Sequence, residues 1–292
     1  MEGIILRGIG SFYTVRSSED GGEYVLRAQK KLRRTGMKPL VGDRVEFVPG
    51  QDGEEGWIES ILPRKNELIR PSVANVDMLM LVMAPVPLPD LMMIDKLILR
   101  ARRGGMTPAI CVNKTDLENG LPERIEREYA GSELQSFYVS AKTGVGLDLL
   151  RPALGGKVTC LAGQSAVGKT SLLNALFGLR METGGLSEKT ERGRHTTRKA
   201  ELMTFGDALV MDTPGFSLLE LEDDLPPEEI AGHYEEYAEL SEGCRFQPCL
   251  HDREPGCAVR RAVDEGRLSR QRWERYRKLL AEAKEKQKGR YT

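Results

Sequence analysis

The octapeptide Gly163-Gln164-Ser165-Ala166-Val167-Gly168-Lys169-Thr170 lies between an apolar, β-favouring run, KVTCLA, and an apolar helical pattern, SLLNALF. No other feature constrains the fold as tightly, because this spacing works only where a parallel strand delivers the loop to the first turn of a helix. Its glycines let successive backbone N–H groups curl around a phosphate, and the following helix adds its positive end. On this reading Gly163 through Thr170, with Ser171 next to them, cradle a nucleoside triphosphate. Lys169 reaches the β- and γ-phosphates and Thr170 offers its hydroxyl to Mg²⁺. A glycine-rich turn matching by chance is the competing reading, and the flanking strand and helix weigh against it.

The surrounding sequence supplies the sheet such a loop needs. From about residue 72, the runs VDMLMLVMA, TPAICVNKTD, SFYVSAKTG and KVTCLAGQS alternate with helical patterns such as LMMIDKLILRARR and LPERIEREY, ending in ALVMDTPG. Strands rich in Val, Ile, Leu and Met that alternate with helices predict a parallel sheet covered on both faces, an α/β domain. Before it, short β-favouring runs (IILRGIGSFYTV, EYVLRA, DRVEFV, GWIESIL) separated by glycine-rich or charged turns predict a small barrel, of which the oligonucleotide-binding type is one option. From Leu225 onward, helical patterns flank a loop of Cys and His residues, and no internal repeat is visible.

The base is read elsewhere in the chain. Asn113, Lys114 and Asp116 follow one expected strand, and Ser140, Ala141 and Lys142 follow the next. A carboxylate at Asp116 accepts from guanine N1–H and its 2-amino group together, a donor pair that adenine lacks. A buried polar group left unpaired rejects the wrong ligand by roughly 10⁴–10⁵, so the expectation is GTP or GDP; a kinase or ATPase built on the same loop conflicts with Asp116. Asn113 is expected to brace the loop, the Lys114 stem to lie along the base plane, and the Ala141 N–H to meet guanine O6. Asp212, at the end of the strand ALVM, is expected to hold Mg²⁺ through water, and the Gly215 N–H to sense the γ-phosphate. The polar, glycine-rich segment GGLSEKTERGRHTTR between the phosphate loop and Asp212 reads as a switch, with Thr196 or Thr197 as the further Mg²⁺ contact.

The order of these motifs is rotated. In ordinary GTPases the phosphate loop comes first and the guanine-reading loops last, whereas here Asp116 and Ala141 precede Lys169 and Asp212. A parallel sheet accepts such a rotation if its former termini are close, since the site depends on adjacency in space. The switch after Asp212 then runs directly into the C-terminal segment, which it can move as a lever.

Cys244, Cys249, His251 and Cys257 form C-x4-C-x-H-x5-C, a donor set matching a closed, structural Zn²⁺ site. Cys111 and Cys160 sit in apolar runs and read as core residues. Formal charge is −1, so the whole-chain balance argues neither for nor against nucleic acid, but its distribution is uneven. Arg27 to Lys38 holds six basic residues and no acid, and residues 258–292 hold twelve basic against five acidic. Solvated faces are the plain reading of such runs taken singly. The N-terminus lacks the pattern of a signal peptide and no apolar run approaches membrane-spanning length, so a cytosolic protein with no membrane partner is expected.

Taken together, the rotated motif order and the spacing of Cys244, Cys249, His251 and Cys257 resemble the bacterial circularly permuted GTPases that depend on the small ribosomal subunit, the RsgA family. The resemblance covers the whole chain. It implies an oligonucleotide-binding (OB-type) β-barrel over 1–68, a circularly permuted P-loop GTPase domain over 69–222, and a mainly helical zinc domain over 223–292. It also implies GTP hydrolysis stimulated by the small subunit, in late maturation of that subunit. Lys169, Gly215 and His195 would carry the chemistry; Phe216 stands where many GTPases place a water-orienting Gln, and the resemblance favours His195 as its substitute. Ala166 stands where the family often has Gly, a change the loop tolerates if the local φ is negative. The basic run Arg27, Lys30, Lys31, Arg33, Arg34, Lys38 and the basic C-terminal helix are expected to hold ribosomal RNA phosphates; no DNA partner is expected, and a monomer is. A non-catalytic RNA-binding scaffold with a merely structural nucleotide domain is the alternative, against which Lys169, Thr170 and Asp212 stand.

Overall fold

The computed structural model describes residues 1–29, 31–32, 37–50, 55–69, 72–181, 201–212 and 225–289. Short alternating strands near the N-terminus close on themselves. Strands β1 (Glu2–Ile9), β2 (Phe12–Ser17), β3 (Glu23–Ala28), β4 (Arg44–Val48) and β5 (Gly56–Ile61) form a barrel in the order β1-β2-β3-β5-β4, with β1 returning to pair with β4. β3 and β5 run parallel and the other pairs antiparallel. Alternation points Ile5, Val15, Leu26, Val45, Phe47 and Ile58 inward, filling a barrel too narrow for anything but side chains. This closed five-strand path is the OB-type barrel.

A ribbon of β6 (Glu67–Leu68) and β7 (Val73–Ala74) leads to the sheet. There β8 (Met78–Met83), β9 (Thr107–Val112), β10 (Gln135–Tyr138), β11 (Val158–Ala162), β12 (Met203–Phe205) and β13 (Ala208–Asp212) take the spatial order β10-β9-β8-β11-β13-β12. All are parallel except β12. Every residue of β8 is buried, because both faces of the sheet are covered. Its odd-numbered side chains meet α1 (Leu91–Arg103) and α2 (Leu121–Glu128), and its even-numbered ones meet α3 (Leu147–Leu154) and α4 (Lys169–Phe177). The Asp90 carboxylate starts α1 by accepting from the N–H groups of Met92 and Met93 at 3.0 and 3.1 Å.

The chain runs outward from β8 through β9 to β10, then returns to the centre at β11. Strand order therefore reverses between β8 and β11, and the loops leaving the carboxyl ends of the strands border a crevice there, the place where open α/β sheets bind ligands. The barrel is joined to the far edge of the sheet. Leu202 N–H donates to the Leu6 carbonyl at 2.8 Å, and Arg7 bridges Glu201.

After residue 225 come the short helices α5 (Pro227–Ile230) and α6 (Ala238–Ser241), then α7 (Ala258–Asp264) and the long α8 (Arg270–Gly289). They enclose an aromatic core of Tyr234, Tyr237, Trp273 and Tyr276. What fixes this module to the sheet domain is charge. Asp95 on α1, 2% exposed, accepts from Arg272 Nη1 at 2.8 Å, Arg275 Nε at 2.5 Å and the Tyr129 hydroxyl at 2.8 Å. Arg275 also donates to Glu128, and Arg272 to Glu236 while lying over the Tyr129 ring at 4.4 Å. Burial is the largest single influence and opposes charge on both guanidinium groups, but Asp95 together with Glu236 at Arg272 and Glu128 at Arg275 outweighs it and holds them protonated.

The C-terminal helix, whose basic residues were expected to hold RNA phosphates, turns two of its arginines inward. Arg272 and Arg275 are 3% and 9% exposed and serve as a clamp between modules. Their register explains it: three residues apart, they share the helix face that carries Tyr276 and Leu279 inward.

Removing one partner of a buried ion cluster leaves uncompensated charge at a cost of roughly 3–5 kcal/mol. Asp95→Ala should therefore destabilise the C-terminal module by an amount in that range, read from urea unfolding followed through the fluorescence of Trp273.

Candidate functional site

The phosphate-loop sequence turns tightly because two glycines leave room for neighbouring atoms. A Cβ on Gly163 would stand 2.1 Å from the Val82 carbonyl oxygen, and one on Gly168, at φ +93°, would stand 2.6 Å from Asn113 Nδ2. Gly168 caps α4, so the loop ends on a helix N-terminus whose unpaired N–H groups suit an anion. Lys169, the first residue of that helix, folds back and donates from Nζ to the carbonyls of Gly163 and Gln164 at 2.8 and 3.1 Å. Burial pulls its pKa below the ordinary lysine value, with Asp212 pulling the other way. An ammonium this desolvated is poised to gain from an incoming phosphate.

Asn113, at the end of β9, joins this loop to the others. Its Nδ2 donates to the Val167 carbonyl at 3.0 Å, and its Oδ1 accepts from Ala141 N–H at 3.0 Å. Lys114 adopts the left-handed conformation, φ +62°, and its Nζ donates to the carbonyls of Ala166 at 2.7 Å and Val86 at 2.9 Å. Ser140, buried, donates to Asp116 Oδ1 at 2.7 Å, while Lys142 Nζ stands 4.0 Å from Asp116 Oδ2. The Ser140 hydroxyl holds the Asp116 pKa below the usual carboxylate value, with smaller help from Lys142 and Lys114. Asp116 thus presents a charged carboxylate beside the phosphate loop although Lys169 lies 53 positions further along the chain. The Ala141 N–H, expected to face a base, already serves Asn113.

Asp212, at the end of β13, accepts from the Thr170 hydroxyl through Oδ2 at 3.1 Å. Its other oxygen, Oδ1, is buried and has no hydrogen-bond partner among the described residues. A buried carboxylate oxygen beside a threonine hydroxyl and a phosphate loop fits the donor chemistry of a hard divalent cation such as Mg²⁺. His195, Thr196, Thr197 and Gly215, also expected at this site, lie outside the described residues.

The second predicted donor set is assembled in the C-terminal module. Cys244, Cys249, Cys257 and His251 bring their ligand atoms within 4.8 Å of one another. The imidazole approaches through Nδ1, 3.7 Å from Cys244 Sγ and 3.4 Å from Cys257 Sγ. Four ligands at about 2.3 Å from a tetrahedral ion stand about 3.7 Å apart, so the cluster is already sized for a metal. Nε2 of His251 faces the Ser241 hydroxyl at 3.1 Å, and Trp273 Nε1 donates to the His251 carbonyl at 2.9 Å. Sequence reasoning missed these outer partners and the Val86 carbonyl, because none belongs to a spacing pattern. Cys111 and Cys160 are fully buried, and burial pushes both thiols up to about 12, as core residues.

A family model described as RsgA GTPase matches residues 61–222, and one described as RsgA N-terminal domain matches residues 2–58. The chain belongs to the RsgA GTPase family. A curated relative from Caldanaerobacter subterraneus subsp. tengcongensis, named small ribosomal subunit biogenesis GTPase RsgA, is 44% identical, covering 100% of this chain and 98% of its own. One of the same name from Geobacillus thermodenitrificans is 40% identical, with 98% of each covered. Two solved structures are similar to this one. YjeQ from Thermotoga maritima has a TM-score of 0.80 and 35% identity over 97% of this chain and 98% of that one. YloQ, described as a circularly permuted GTPase, has a TM-score of 0.80 and 32% identity over 98% of this chain and 95% of that one. Family membership makes the protein a GTP hydrolase of the circularly permuted kind, acting on a guanine nucleotide.

One feature of the family loop departs from expectation in this chain. Ala166 was admissible on condition of a negative φ, but it sits at φ +65°. The carbonyl of Ala166 is held by Lys114 and the following Val167 is fully buried, so neighbours fix the conformation against the preference of the residue itself. A Cβ in the left-handed region costs about 1–2 kcal/mol. Ala166→Gly relieves that strain and loses about 0.4–1 kcal/mol through the greater entropy of the unfolded chain. A net gain of about 0–1.6 kcal/mol is expected, measured as an unchanged or raised thermal midpoint.

Proposed function

We propose that the protein is a GTP-driven switch acting on the small ribosomal subunit during its maturation, with RNA held by the barrel and the C-terminal module. The role named for its relatives supports this reading. The observation that carries the nucleotide part is the Asn113 carboxamide, bonded at once to the phosphate loop and to the Ser140–Lys142 loop. Through it, the carboxylate suited to guanine and the lysine suited to phosphate serve one ligand.

The roles we assign draw on the sequence motifs and, for the described residues, on their hydrogen bonds. Asp116, oriented by Ser140, accepts from N1–H and the 2-amino group of guanine. Lys114 lays its stem beside the base while its ammonium ties the phosphate loop to Val86. Ala141 N–H meets O6 by sharing its proton with Asn113 Oδ1, a three-centre arrangement. Backbone N–H groups from Gly163 to Thr170, with Ser171, surround the phosphates, and Lys169 exchanges its two carbonyl partners for phosphate oxygens. Thr170 and Asp212, with Thr196 or Thr197, would hold Mg²⁺, which when bound neutralises charge on the β- and γ-oxygens. Gly215 would report the γ-phosphate and His195 orient water, in place of the glutamine that Phe216 cannot replace. The labour divides over residues 1–68, 69–222 and 223–292. Basic side chains of the first and last segments contact ribosomal RNA, and the protein works as a cytosolic monomer. Among the described residues no helix is long and apolar enough to cross a membrane.

The deciding measurement is GTP turnover with and without purified small subunits. Turnover is expected to be slow alone and to rise by roughly 10³–10⁵-fold with them, the range found when a partner completes such a site. His195→Ala should lose the stimulated part alone, and Asp116→Asn should shift preference from guanine toward xanthine nucleotides. No turnover with subunits present would leave an RNA-binding scaffold.

Cys244, Cys249, Cys257 and His251 Nδ1 are proposed to hold one Zn²⁺ with no position left for water. In the metal-free thiol form burial pushes Cys249 up to about 12 and raises Cys257, so binding must release protons. Native mass spectrometry should show one zinc ion per chain. Chelation, or Cys257→Ser, should remove it and lower the thermal midpoint of the C-terminal module.

A further inference from the structure

The first strand of the barrel does not pair evenly with the second. β1 sets Ile5 opposite Val15 and Arg7 opposite Thr14, which leaves Leu6 as an extra residue, a β-bulge. Ile5 lies in the barrel core, and strict alternation would send Arg7 inward beside it. The bulge instead lets Leu6 and Arg7 both leave the barrel. Leu6, 5% exposed, enters the core of the sheet domain, in the same cluster as Leu202, 2% exposed. Its carbonyl accepts from Leu202 N–H at 2.8 Å, and Arg7 faces Glu201 in an antiparallel bridge, their charged groups 3.4 Å apart. Beyond the other end of β12, Arg16 donates to the Gly206 carbonyl at 3.4 Å. The barrel therefore holds β12 at both ends, and the partner strand β13 ends at Asp212, which accepts from the Thr170 hydroxyl.

Glu201 also follows the segment read as the switch. Thr197 precedes it by four positions, Thr196 by five and His195 by six. Four residues of chain reach at most about 14 Å, so the place of Glu201 limits where those side chains can stand. The leading end of the segment is fixed by a different module. Asn174 on α4, the helix that begins at Lys169, donates from Nδ2 to the Met181 carbonyl at 2.9 Å and accepts from Met181 N–H through Oδ1 at 3.0 Å. One root of the switch thus belongs to the phosphate-loop helix and the other to the barrel.

We propose that Leu6 and Leu202 are positioning residues for GTP hydrolysis: through them the barrel holds the trailing root of the switch, so that seating the barrel on the small subunit sets the switch for turnover. The inference rests on the switch and the subunit-driven hydrolysis described above, and names the contact that carries the stimulus between modules. Its physical basis is that a displaced barrel must either carry Glu201 with it or part the buried Leu6–Leu202 contact.

Two variants weaken this joint in different ways. Leu6→Ala shrinks the buried contact, and Glu201→Arg sets like charges against each other without touching the core. Thermal unfolding verifies that each is folded. Both should keep their turnover without subunits and their affinity for subunits, while kcat with subunits present falls by about 2- to 30-fold at unchanged KM for GTP. Arg7→Cys with Glu201→Cys places a cystine across the bridge, where opposed Cα atoms stand about 4.5–5.5 Å apart. Added to Leu6→Ala and oxidised, this pair should restore the stimulated rate, and a reductant should remove the gain. Leu6→Ala carrying Arg7→Cys alone, treated alike, should show no gain. If Leu6→Ala does not fold, Glu201→Arg carries the test, with Arg7→Glu as its rescue. Unchanged stimulation in the folded variants overturns the proposal. So does a fall that neither the cystine nor the charge exchange reverses, or an equal fall in turnover without subunits, since the contact would then be structural only. Failure of the ribosomal role itself is read separately, as absent subunit-stimulated turnover in the unsubstituted protein.

Discussion

Asn113 is 1% exposed, and its carboxamide spends every polar atom on joining loops: Nδ2 on the carbonyls of Val167 and Gly168, Oδ1 on the N–H of Ala141. These loops leave three different strands, β9, β10 and β11. A buried amide that lost any one partner would leave an unsatisfied group costing about 1–3 kcal/mol. The carboxamide therefore holds the loops that carry Asp116 and Lys169 in one register. Gly168 has to be glycine because this amide lies where its Cβ would be.

The same brace explains how a rotated motif order still makes one site. Strand order in the sheet is β10-β9-β8-β11-β13-β12, and every functional loop leaves a strand at its carboxyl end. Whether the chain visits β9 before or after β11 changes the connections and leaves the crevice intact. What the rotation does change is where the ends of the sheet domain lead. The barrel meets the edge through Leu6 and Leu202, and the C-terminal module is clamped to α1 and α2 through Asp95, Arg272 and Arg275. A lever driven from beyond Asp212 would thus have to carry α1 and α2 with it or part a buried ion cluster.

Much of this was readable before any coordinates. The phosphate loop, Asn113-Lys114-x-Asp116, Ser140-Ala141-Lys142 and C-x4-C-x-H-x5-C are local strings, and local strings carry their chemistry in their spacing. Alternating apolar residues gave both the barrel and the two-faced sheet, and both are present. Spacing could not tell that Ala166 sits at φ +65°, since its sign is imposed by Lys114 and Val167 against the residue's own preference. Nor could it separate the structural arginines of α8 from its surface cations, because Arg272 and Arg275 differ from their neighbours only in facing Asp95 across 177 and 180 positions of chain.

The amino-acid sequence by itself determined the local motifs from which a GTPase is recognised: a phosphate-loop spacing, the string Asn113-Lys114-x-Asp116 and a four-donor Cys and His set, each encoded within a few residues. Tertiary structure alone decided which of its charges work inside and which outside, how Ala141 and Asn113 share hydrogen bonds, and that Leu6 of the barrel meets Leu202. The division has a physical cause. Local motifs are fixed by backbone spacing, whereas partnership between distant side chains depends on strand register and helix packing, which exist only once the chain has closed on itself.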